Sequence, residues 1–300
     1  MMRMPGSAAS VSAPAKLNLC LRIRGRRPDG YHLLDSITIP VTLFDDVHVR
    51  LHPATAASVS IRCAPVDAAP AGPGNLAARA AALFLERTRT AAHVSITLVK
   101  RIPAGAGLGG GSSDAAGVLR ALNALAADPI SKADLATCAL ALGADVPLFL
   151  FGRPARMRGV GEILEAWPSE VPWPIVVAFS GTALSTQTVY AKYDDLLTSP
   201  GPTSTIRPPA PSQEPLRTML HNDLEAAAFH IQPALRSLKE RLASLGAEGV
   251  LMTGSGSAVF GIWKQWDDAR AAADRLRSAG AWARVVRGLE RVPAVELVTE

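Results

Sequence analysis

Residues 103–116 read PAGAGLGGGSSDAA, and this glycine-dense segment decides the fold because of the elements that flank it. Before it, Val94, Ile96 and Leu98 alternate with polar residues, which predicts a strand with one wet face that ends at Lys100. After it, apolar residues recur at helical spacing and predict a helix that begins where the loop ends: Ala115, Val118, Leu119, Leu122 and Leu125. Closely spaced glycines let backbone N–H groups approach phosphate oxygens, and the helix behind them presents the positive end of its dipole. The segment therefore predicts a phosphate-binding loop.

A dinucleotide-binding loop is the alternative interpretation of the same segment. Gly105, Gly107 and Gly110 have the spacing GxGxxG. A Rossmann loop, however, follows a buried parallel strand with a continuous apolar run, whereas the strand here alternates and residues 100–103 separate it from the glycines. The next predicted element is also a second helix rather than a parallel strand. A dinucleotide-dependent oxidoreductase stays open as the weaker alternative.

The signatures of the commonest phosphate enzymes and hydrolases are absent from the sequence. It contains no GxxxxGK[ST] of a P-loop and no HRD or DFG of a protein kinase. It also contains neither GxSxG nor HExxH. A nucleotide-binding loop without these signatures indicates another kinase architecture.

Strands and helices both follow from the pattern of the N-terminal half. Alternating apolar residues predict strands at 17–23, 37–43, 47–51 and 59–61, with a turn at 26–32, which together give an antiparallel or mixed sheet. A helix is predicted over 75–88 with Asn75 as its N-cap. A second helix is predicted to begin at Ser131, which forms a capping box with Asp134, and to end at Gly143.

The C-terminal half is also mixed. Strands are predicted at 148–151 and 175–179, and the segment TSPGPTSTIRPPAPSQEP, residues 198–215, is predicted to be a flexible loop because it is rich in Pro, Ser and Thr. Two helices follow, and then a strand at 250–252, the turn TGSGS at 253–257, a strand at 258–263, a helix from Asp267 and a strand near 283–286. The fold class predicted for the chain is α+β.

Composition indicates a globular protein. Hydrophobic residues make up 48% of the 300 residues and charged residues 19%, which argues against intrinsic disorder. No uninterrupted apolar run approaches the roughly 18 residues that cross a bilayer. Residues 1–11 are predicted to form a flexible tail without the apolar core of a signal peptide. Cys20, Cys63 and Cys138 lie far apart, which argues against a disulfide framework or a zinc site. We therefore expect a cytoplasmic protein with no membrane partner.

The positive charge has two interpretations. A net charge of +5 suits an anionic small-molecule substrate, and it also suits nucleic acid, which could contact Arg22, Arg24, Arg26 and Arg27 on an exposed strand. Basic residues are scattered, however, and aromatic residues are only 5% of the chain. We favour the small molecule and expect no nucleic-acid partner.

Two charged residues are candidates for catalysis. Lys16, within PAKLNL at 14–19, lies among apolar strand residues, where a lysine is costly unless paired. It therefore either faces a phosphate or lies at a strand edge in water. Asp145, within GADVP at 143–147, follows a predicted helix C-terminus, which is an unfavourable place for an anion, and precedes the apolar strand predicted at 148–151.

Two further segments have a plain and a functional interpretation. DGYH at 29–32 is standard turn chemistry, but Tyr31 and His32 could also stack on and hydrogen-bond a base. TGSGS at 253–257 either joins two strands or forms a second nest of backbone N–H groups beside a ligand. The residues alone leave both alternatives open.

Taken in order, PAKLNL, DGYH, the glycine loop, GADVP, GVGE at 159–162 and TGSGS resemble the GHMP small-molecule kinases. The resemblance extends over roughly residues 12–290. It implies a two-lobed α+β fold, with an N-terminal ATP-binding kinase domain over 12–160 and a ferredoxin-like C-terminal domain over 161–300. ATP and the substrate are expected in the cleft between the lobes. Within the family, the pattern is most similar to kinases whose acceptor hydroxyl belongs to a cytidyl diphosphate compound.

The resemblance also implies roles for individual residues. Asp145 is expected to be the catalytic base, and Lys16 to orient it and stabilise developing charge. Asn18 and His32 are expected to contact the substrate, with the cytosine stacked between Tyr31 and Tyr190. The ATP phosphates are expected to lie against the whole loop, which comprises Pro103, Ala104, Gly105, Ala106, Gly107, Leu108, Gly109, Gly110, Gly111, Ser112 and Ser113.

Three features stay open at this level. Mg²⁺ is expected to accompany ATP, with Ser112 or Ser113 as possible ligands, but the sequence does not assign its ligands. Either a monomer or a homodimer is compatible with the sequence. Residues 179–181 read Phe-Ser-Gly where the family usually has His-Pro-Gly, which concerns one edge of the substrate pocket.

Overall fold

A long antiparallel hairpin organises the N-terminal lobe. The computed structural model describes residues 7–66, 68–70, 72–168, 171–197 and 219–298. Strand β1 spans Ala8–Arg26 and β2 spans His32–Pro53. The two pair along most of their length, with register shifts at three places in β1: Pro14/Ala15, Asn18/Cys20 and Ile23/Gly25. The strands predicted at 37–43 and 47–51 are therefore parts of one strand.

The remaining strands of this lobe extend the hairpin into a mixed sheet. Strand β3 spans Ser58–Ala64, β4 Ala92–Val99, β5 Ala155–Gly159 and β6 Ile163–Ala166. Strand β4 pairs antiparallel with β2 and parallel with β3, while β5 pairs with β2 and with β6. Because β4 is antiparallel to β2 and leads to consecutive helices rather than to a further parallel strand, the glycine loop does not lie in a Rossmann unit.

Among the described residues, four helices belong to this lobe. A short 3-10 turn over Gly72–Gly74 precedes the first helix. Helix α1 spans Leu76–Thr88, α2 Gly110–Leu125, α3 Lys132–Leu142 and α4 Val146–Phe151. The predicted N-caps are confirmed, because Asn75 accepts a hydrogen bond from Ala77 N and Ser131 accepts one from Asp134 N. The predicted apolar face of α2 is buried against the sheet and α1.

The C-terminal lobe is built on a second sheet with the strand order of a ferredoxin-like fold. Strand β7 spans Ile175–Phe179, β9 Gly249–Met252, β10 Val259–Ile262 and β11 Trp282–Val286, and their antiparallel order is β11-β7-β10-β9. Among the described residues of this lobe, the helices are α5 Thr186–Leu196, α6 Glu225–Ile231, α7 Ala234–Ser244 and α8 Trp266–Ser278. The α+β class predicted from the sequence is confirmed.

The two sheets share a buried core. Leu17 and Ile39 of the first sheet pack in one apolar cluster with Val177 and Phe260 of the second. Two short strands add to this connection, since β8, His221–Asn222, and β12, Glu296–Val298, both pair with β1. The cleft described below therefore lies between lobes that are packed on each other.

Two sequence predictions need correction. Residues 148–151 are not a strand but the greater part of helix α4, which has a proline at its start and Gly152 at its C-cap. The predicted tail of residues 1–11 is too long, because β1 begins at Ala8 and Val11 is buried.

The other boundary predictions are tested less directly. The division at residue 160 stays a prediction, although the first sheet continues past it to Ala166. The loop predicted at 198–215 lies outside the described residues.

In the part of the chain that the structure describes, no helix has both the length and the apolar character that spanning a bilayer requires.

Candidate active site

A cleft of about 1210 Å³ opens between the two lobes and collects the residues that the sequence singled out. Lys16, Asn18, Tyr31, His32, Asp145 and Tyr190 line it, as do Gly254 and Ser255 of the TGSGS turn. Every residue from Pro103 to Ser112 also lines the cleft, whereas Ser113 is buried beneath it. Neither Phe179 nor Ser180, which mark the departure from the family pattern, is among the described residues that line the cleft.

The glycine loop is held in a fixed shape by contacts to both lobes. Lys16 N donates to Leu108 O at 2.9 Å, and Ala258 N donates to Ala106 O at 3.0 Å. Ala106 and Leu108 are both 1% exposed, so they anchor the loop, while the glycines that alternate with them, Gly105, Gly107 and Gly109, line the cleft. Helix α2 begins at Gly110, so the N–H groups of its first turn, which have no partner within the helix, lie at the end of the loop.

Glycine is required where the loop meets the TGSGS turn. Gly107 has φ of +75°, and a Cβ there would lie 2.4 Å from Thr253 O and 2.9 Å from Gly256 O. A Cβ on Gly254, whose φ is +58°, would lie 3.0 Å from Lys16 Nζ. The turn therefore packs directly on the loop beside the Lys16 ammonium group, which favours the ligand-facing interpretation over a plain strand connection.

Lys16 is a buried cation directed at a carboxylate. Its side chain is 5% exposed, and Nζ donates to Asn18 Oδ1 at 2.5 Å and lies 3.8 Å from Asp145 Oδ2. The Asp145 side chain is 38% exposed and faces the cleft. The strand-edge interpretation of Lys16 is therefore wrong, because this lysine is enclosed and paired.

Asp145 lies at the start of a helix, which corrects the electrostatic argument from the sequence. It is the N-cap residue of α4, yet its side chain makes no capping hydrogen bond. A helix N-terminus stabilises a negative charge, whereas the sequence pattern predicts a position between a helix end and a strand. The carboxylate therefore faces both the N-terminus of α4 and the Lys16 side chain.

A polar network that no sequence motif predicts fixes Asn18. Asn18 Nδ2 donates to Ser36 Oγ at 2.8 Å and to Thr38 Oγ1 at 2.9 Å, and Asn18 N donates to Thr253 Oγ1 at 3.0 Å. With Nδ2 committed to these hydroxyl groups, Oδ1 is oriented to accept from Lys16. Ser36 and Thr38 alternate with buried isoleucines, and from the sequence alone that alternation predicts a wet face of the sheet.

The predicted aromatic pair is arranged differently from the expectation. Tyr31 is 66% exposed at the mouth of the cleft. His32 stacks on Tyr190 with ring centroids 4.7 Å apart, and its Nε2 lies 2.7 Å from Asp194 Oδ1. Burial, with the Asp145 charge as a smaller cause, raises the pKa of Tyr190 well above its usual value, so its hydroxyl group stays protonated. One face of Tyr190 is therefore covered by His32.

A second buried charged cluster lies under the glycine loop, and no pattern in the sequence indicates it. Lys100 contacts both Asp45 and Asp114, and Lys100 and Asp114 also line the cleft. Burial raises the pKa of Asp114 to about 7, and the nearby Asp45 carboxylate adds to the effect that Lys100 opposes. Burial alone would lower the pKa of Lys100, but Asp114 and Asp45 raise it overall, so the lysine is charged.

Comparisons with known proteins identify relatives across nearly the whole chain. The GHMP kinases N terminal domain model matches residues 75–153, and the GHMP kinases C terminal model matches residues 210–281. The 4-diphosphocytidyl-2-C-methyl-D-erythritol kinase of Thermus thermophilus is 44% identical over 286 residues, which cover 92% of this chain and 96% of the relative.

Two further comparisons agree with these. The kinase of the same name from Citrifermentans bemidjiense is 40% identical over 272 residues, which cover 90% of this chain and 95% of the relative. A crystal structure of a 4-(cytidine 5'-diphospho)-2C-methyl-D-erythritol kinase matches with a TM-score of 0.76 at 42% identity, covering 93% of this chain and 100% of the other.

Proposed function

The chain belongs to the GHMP kinase family, and from that premise we propose that it transfers the γ-phosphoryl group of ATP to the 2-hydroxyl group of 4-diphosphocytidyl-2-C-methyl-D-erythritol. It is a small-molecule kinase with ATP as co-substrate. The observation that carries the proposed reaction is the meeting of Lys16 Nζ and Asp145 Oδ2, 3.8 Å apart, in the cleft that the glycine loop lines. The product would enter the non-mevalonate isoprenoid pathway.

The glycine loop supplies the ATP site in this proposal. Phosphoryl transfer depends mainly on positioning and on stabilising charge over the phosphate oxygens. Gly105, Gly107 and Gly109 have positive φ values, which are typical of backbone nests that bind anions, and the start of α2 adds its dipole. The absence of side chains at these positions lets a phosphate approach the backbone closely.

Asp145 and Lys16 act on the acceptor hydroxyl group. Asp145 Oδ2 accepts the hydroxyl proton as the oxygen attacks the γ-phosphorus. Lys16 holds that carboxylate through its charge and is itself held by Asn18. Since the ammonium group lies beside both Gly254 and Asp145, it also stabilises negative charge that develops on the transferred group.

The residues at the loop fit a magnesium ion carried by ATP better than a metal held by protein ligands alone. Among the described residues, no group of three or more His, Cys, Asp or Glu is placed to hold a metal ion. Ser112 lines the cleft at the start of α2 and would be a ligand, whereas Ser113 is buried below. When bound, Mg²⁺ neutralises charge on the phosphate oxygens and keeps water and phosphate ligands.

The cytidyl group is assigned to the end of the cleft formed by the turn after β1 and by α5. Tyr31 presents an exposed ring there, and His32 is fixed by Tyr190 and Asp194. Tyr31 provides one stacking face for the base. His32 covers one face of Tyr190. The face of the cytosine ring that does not stack on Tyr31 is therefore directed at the His32–Tyr190 pair rather than at Tyr190 alone.

The proposed substrate is tested by measuring ADP release with purified protein, MgATP and a panel of acceptors. The panel contains the cytidyl compound, its uridyl analogue, 2-C-methyl-D-erythritol 4-phosphate, mevalonate and homoserine. We expect kcat/KM for the cytidyl compound to exceed that for the three acceptors without a base by at least about tenfold, as one stacking contact alone provides, whereas the uridyl analogue keeps the stacking contact. Preference for mevalonate or homoserine would instead assign the chain to another branch of the family.

A further inference from the structure

Lys100, Asp45 and Asp114 form a buried charged cluster that the phosphoryl-transfer scheme does not use. Lys100 directly follows β4, Asp45 lies on β2, and Asp114 lies near the start of α2. Their side chains are 5%, 0% and 3% exposed. Lys100 Nζ donates to Asp114 Oδ2 at 2.5 Å and to Asp45 Oδ2.

The cluster is attached to both ends of the glycine loop. On the entry side, Asp45 Oδ1 accepts hydrogen bonds from Arg101 N at 2.5 Å and from Ile102 N at 2.9 Å, directly before Pro103. On the exit side, Asp114 follows Ser113. Lys100 bridges the two carboxylates, so one ammonium group closes the loop at its base.

The cluster also contacts the first residue of α2. A Cβ on Gly110 would lie 3.4 Å from Asp45 Oδ2 and 3.0 Å from Ile102 Cγ2, so the start of the helix rests directly on this group. The N–H groups at this helix start are among those that the proposed function assigns to the ATP phosphates. A shift of Lys100 relative to Asp114 would therefore move the phosphate-binding N–H groups as a unit.

Stability alone is a weak explanation for such an arrangement. Buried ion pairs contribute little net stability, because desolvation offsets most of the attraction, and in some proteins buried charged groups serve to fix one geometry. Here two carboxylates share one lysine, and Asp114 Oδ1 is buried without a hydrogen-bond partner among the described atoms. The unpartnered oxygen lowers stability, and the cluster nevertheless links the two ends of the loop through Lys100.

We propose that Lys100, Asp45 and Asp114 form a clamp that sets the separation of the two ends of the glycine loop, and that Lys100 and Asp114 are thereby positioning residues for ATP. The clamp depends on the proposed function in one respect, namely that ATP is the ligand of the glycine loop. It controls the affinity for ATP, and none of its three residues belongs to the turn after β1 or to α5, which form the cytidyl end of the cleft.

The clamp is tested with Asp114→Ala, which removes the exit-side link, and Asp114→Asn, which keeps an acceptor for Lys100. ATP affinity is measured by calorimetric titration without acceptor, and KM for each substrate and kcat by ADP release. We expect Asp114→Ala to weaken ATP binding and raise KM for ATP by about tenfold or more, the effect of losing one charged hydrogen bond. We expect KM for the acceptor to change by less than about threefold, and Asp114→Asn to recover most of the loss.

Lys239→Met is the matched control for Lys100→Met. Lys239 pairs with Glu225 at 2.6 Å in the C-terminal lobe and does not line the cleft. We expect Lys100→Met to lose ATP affinity if it folds, and Lys239→Met to keep the affinity of the parent protein. If Asp114→Ala lowers Tm but binds ATP as the parent does, the cluster is only structural and the clamp is wrong. A parent protein that binds ATP but phosphorylates no acceptor would instead contradict the proposed function.

Discussion

Replacing Asp145 by Asn separates the chemical role of this residue from its contribution to folding. The substitution keeps the size of the side chain and removes its charge and its capacity to take a proton. The Asp145 carboxylate lies 3.8 Å from Lys16 and caps no backbone N–H group, and its side chain is 38% exposed. Little else in the described structure depends on it.

The expected magnitudes follow from that geometry. A partly exposed ion pair contributes about 0–1 kcal/mol, so Tm should fall by no more than about 2–4 °C in a chain of this size. Lys16 keeps its hydrogen bond to Asn18 at 2.5 Å, which limits the cost of losing its charged partner. Loss of a positioned general base should lower kcat by about 10²- to 10⁴-fold. ATP affinity should stay within about twofold, because the loop that binds the phosphates is unchanged.

The assay is kcat from coupled ADP release, with ATP affinity from calorimetric titration and Tm from thermal unfolding. Asp128→Asn is the matched control, since it removes the same charge from an exposed position outside the cleft. A variant of Asp145 that folds, binds ATP and turns over within about threefold of the parent would refute the assignment of a general base, because that loss is far below the usual range.

Three other predictions concern the stacking of the cytosine ring, the glycine loop and the pH dependence of stability. Tyr31→Ala should raise KM for the cytidyl substrate by about 5- to 150-fold and leave KM for ATP within about twofold, which steady-state kinetics measure; equal weakening of both substrates would contradict the stacking role. Gly107→Ala should weaken ATP binding by at least about tenfold, because its Cβ would meet Thr253 O at 2.4 Å, whereas Gly280→Ala, with φ of +83° but open space, should bind ATP normally. Asp114, which faces Lys100, Asp45 and Cys63, has its pKa raised by burial from 3.8 to about 7. The folded state therefore binds more protons than the unfolded state between these values, and this group's contribution to stability falls as pH rises from about 4 to about 7. Urea unfolding at pH 5 and pH 8 should show that Asp114→Asn loses less stability over this interval than the parent, and an identical loss would show that Asp114 does not titrate there.

Local signals in the sequence are sufficient where the structure is determined locally. Asn75 and Ser131 cap the predicted helices because their side chains reach backbone N–H groups two and three residues ahead. The glycine loop and the start of α2 likewise follow from residues adjacent in sequence. The succession of strands and helices along the C-terminal lobe is predicted for the same reason, whereas its ferredoxin-like sheet order is expected only from the family resemblance.

The segment at 148–151 shows where periodicity is insufficient. A short apolar run is compatible with either a strand or a buried helix, and four residues are too few to distinguish them. The proline near the start of α4 and Gly152, with φ of +72° at its end, are helix boundary signals that outweigh the run of apolar residues. The same error places Asp145 before a strand, whereas it lies at the N-terminus of a helix.

The parts of the site that could not be predicted depend on contacts between distant residues. Asp45 and Lys100 are 55 residues apart, and His32 and Asp194 are 162 apart. Nothing local distinguishes Asp45 from any other acidic residue on a strand. The stacking of His32 on Tyr190 requires the two lobes to pack, so it exists only in the folded structure.

The most direct test of the central claim is the ³¹P NMR spectrum of a reaction containing the protein, MgATP and 4-diphosphocytidyl-2-C-methyl-D-erythritol. The account predicts a new phosphate monoester signal that grows with ADP, while both signals of the substrate's diphosphate bridge persist, and it predicts that Asp145→Asn forms this product at least about a hundredfold more slowly. Release of ADP with inorganic phosphate alone, or cleavage of the diphosphate bridge to give CMP, would contradict it.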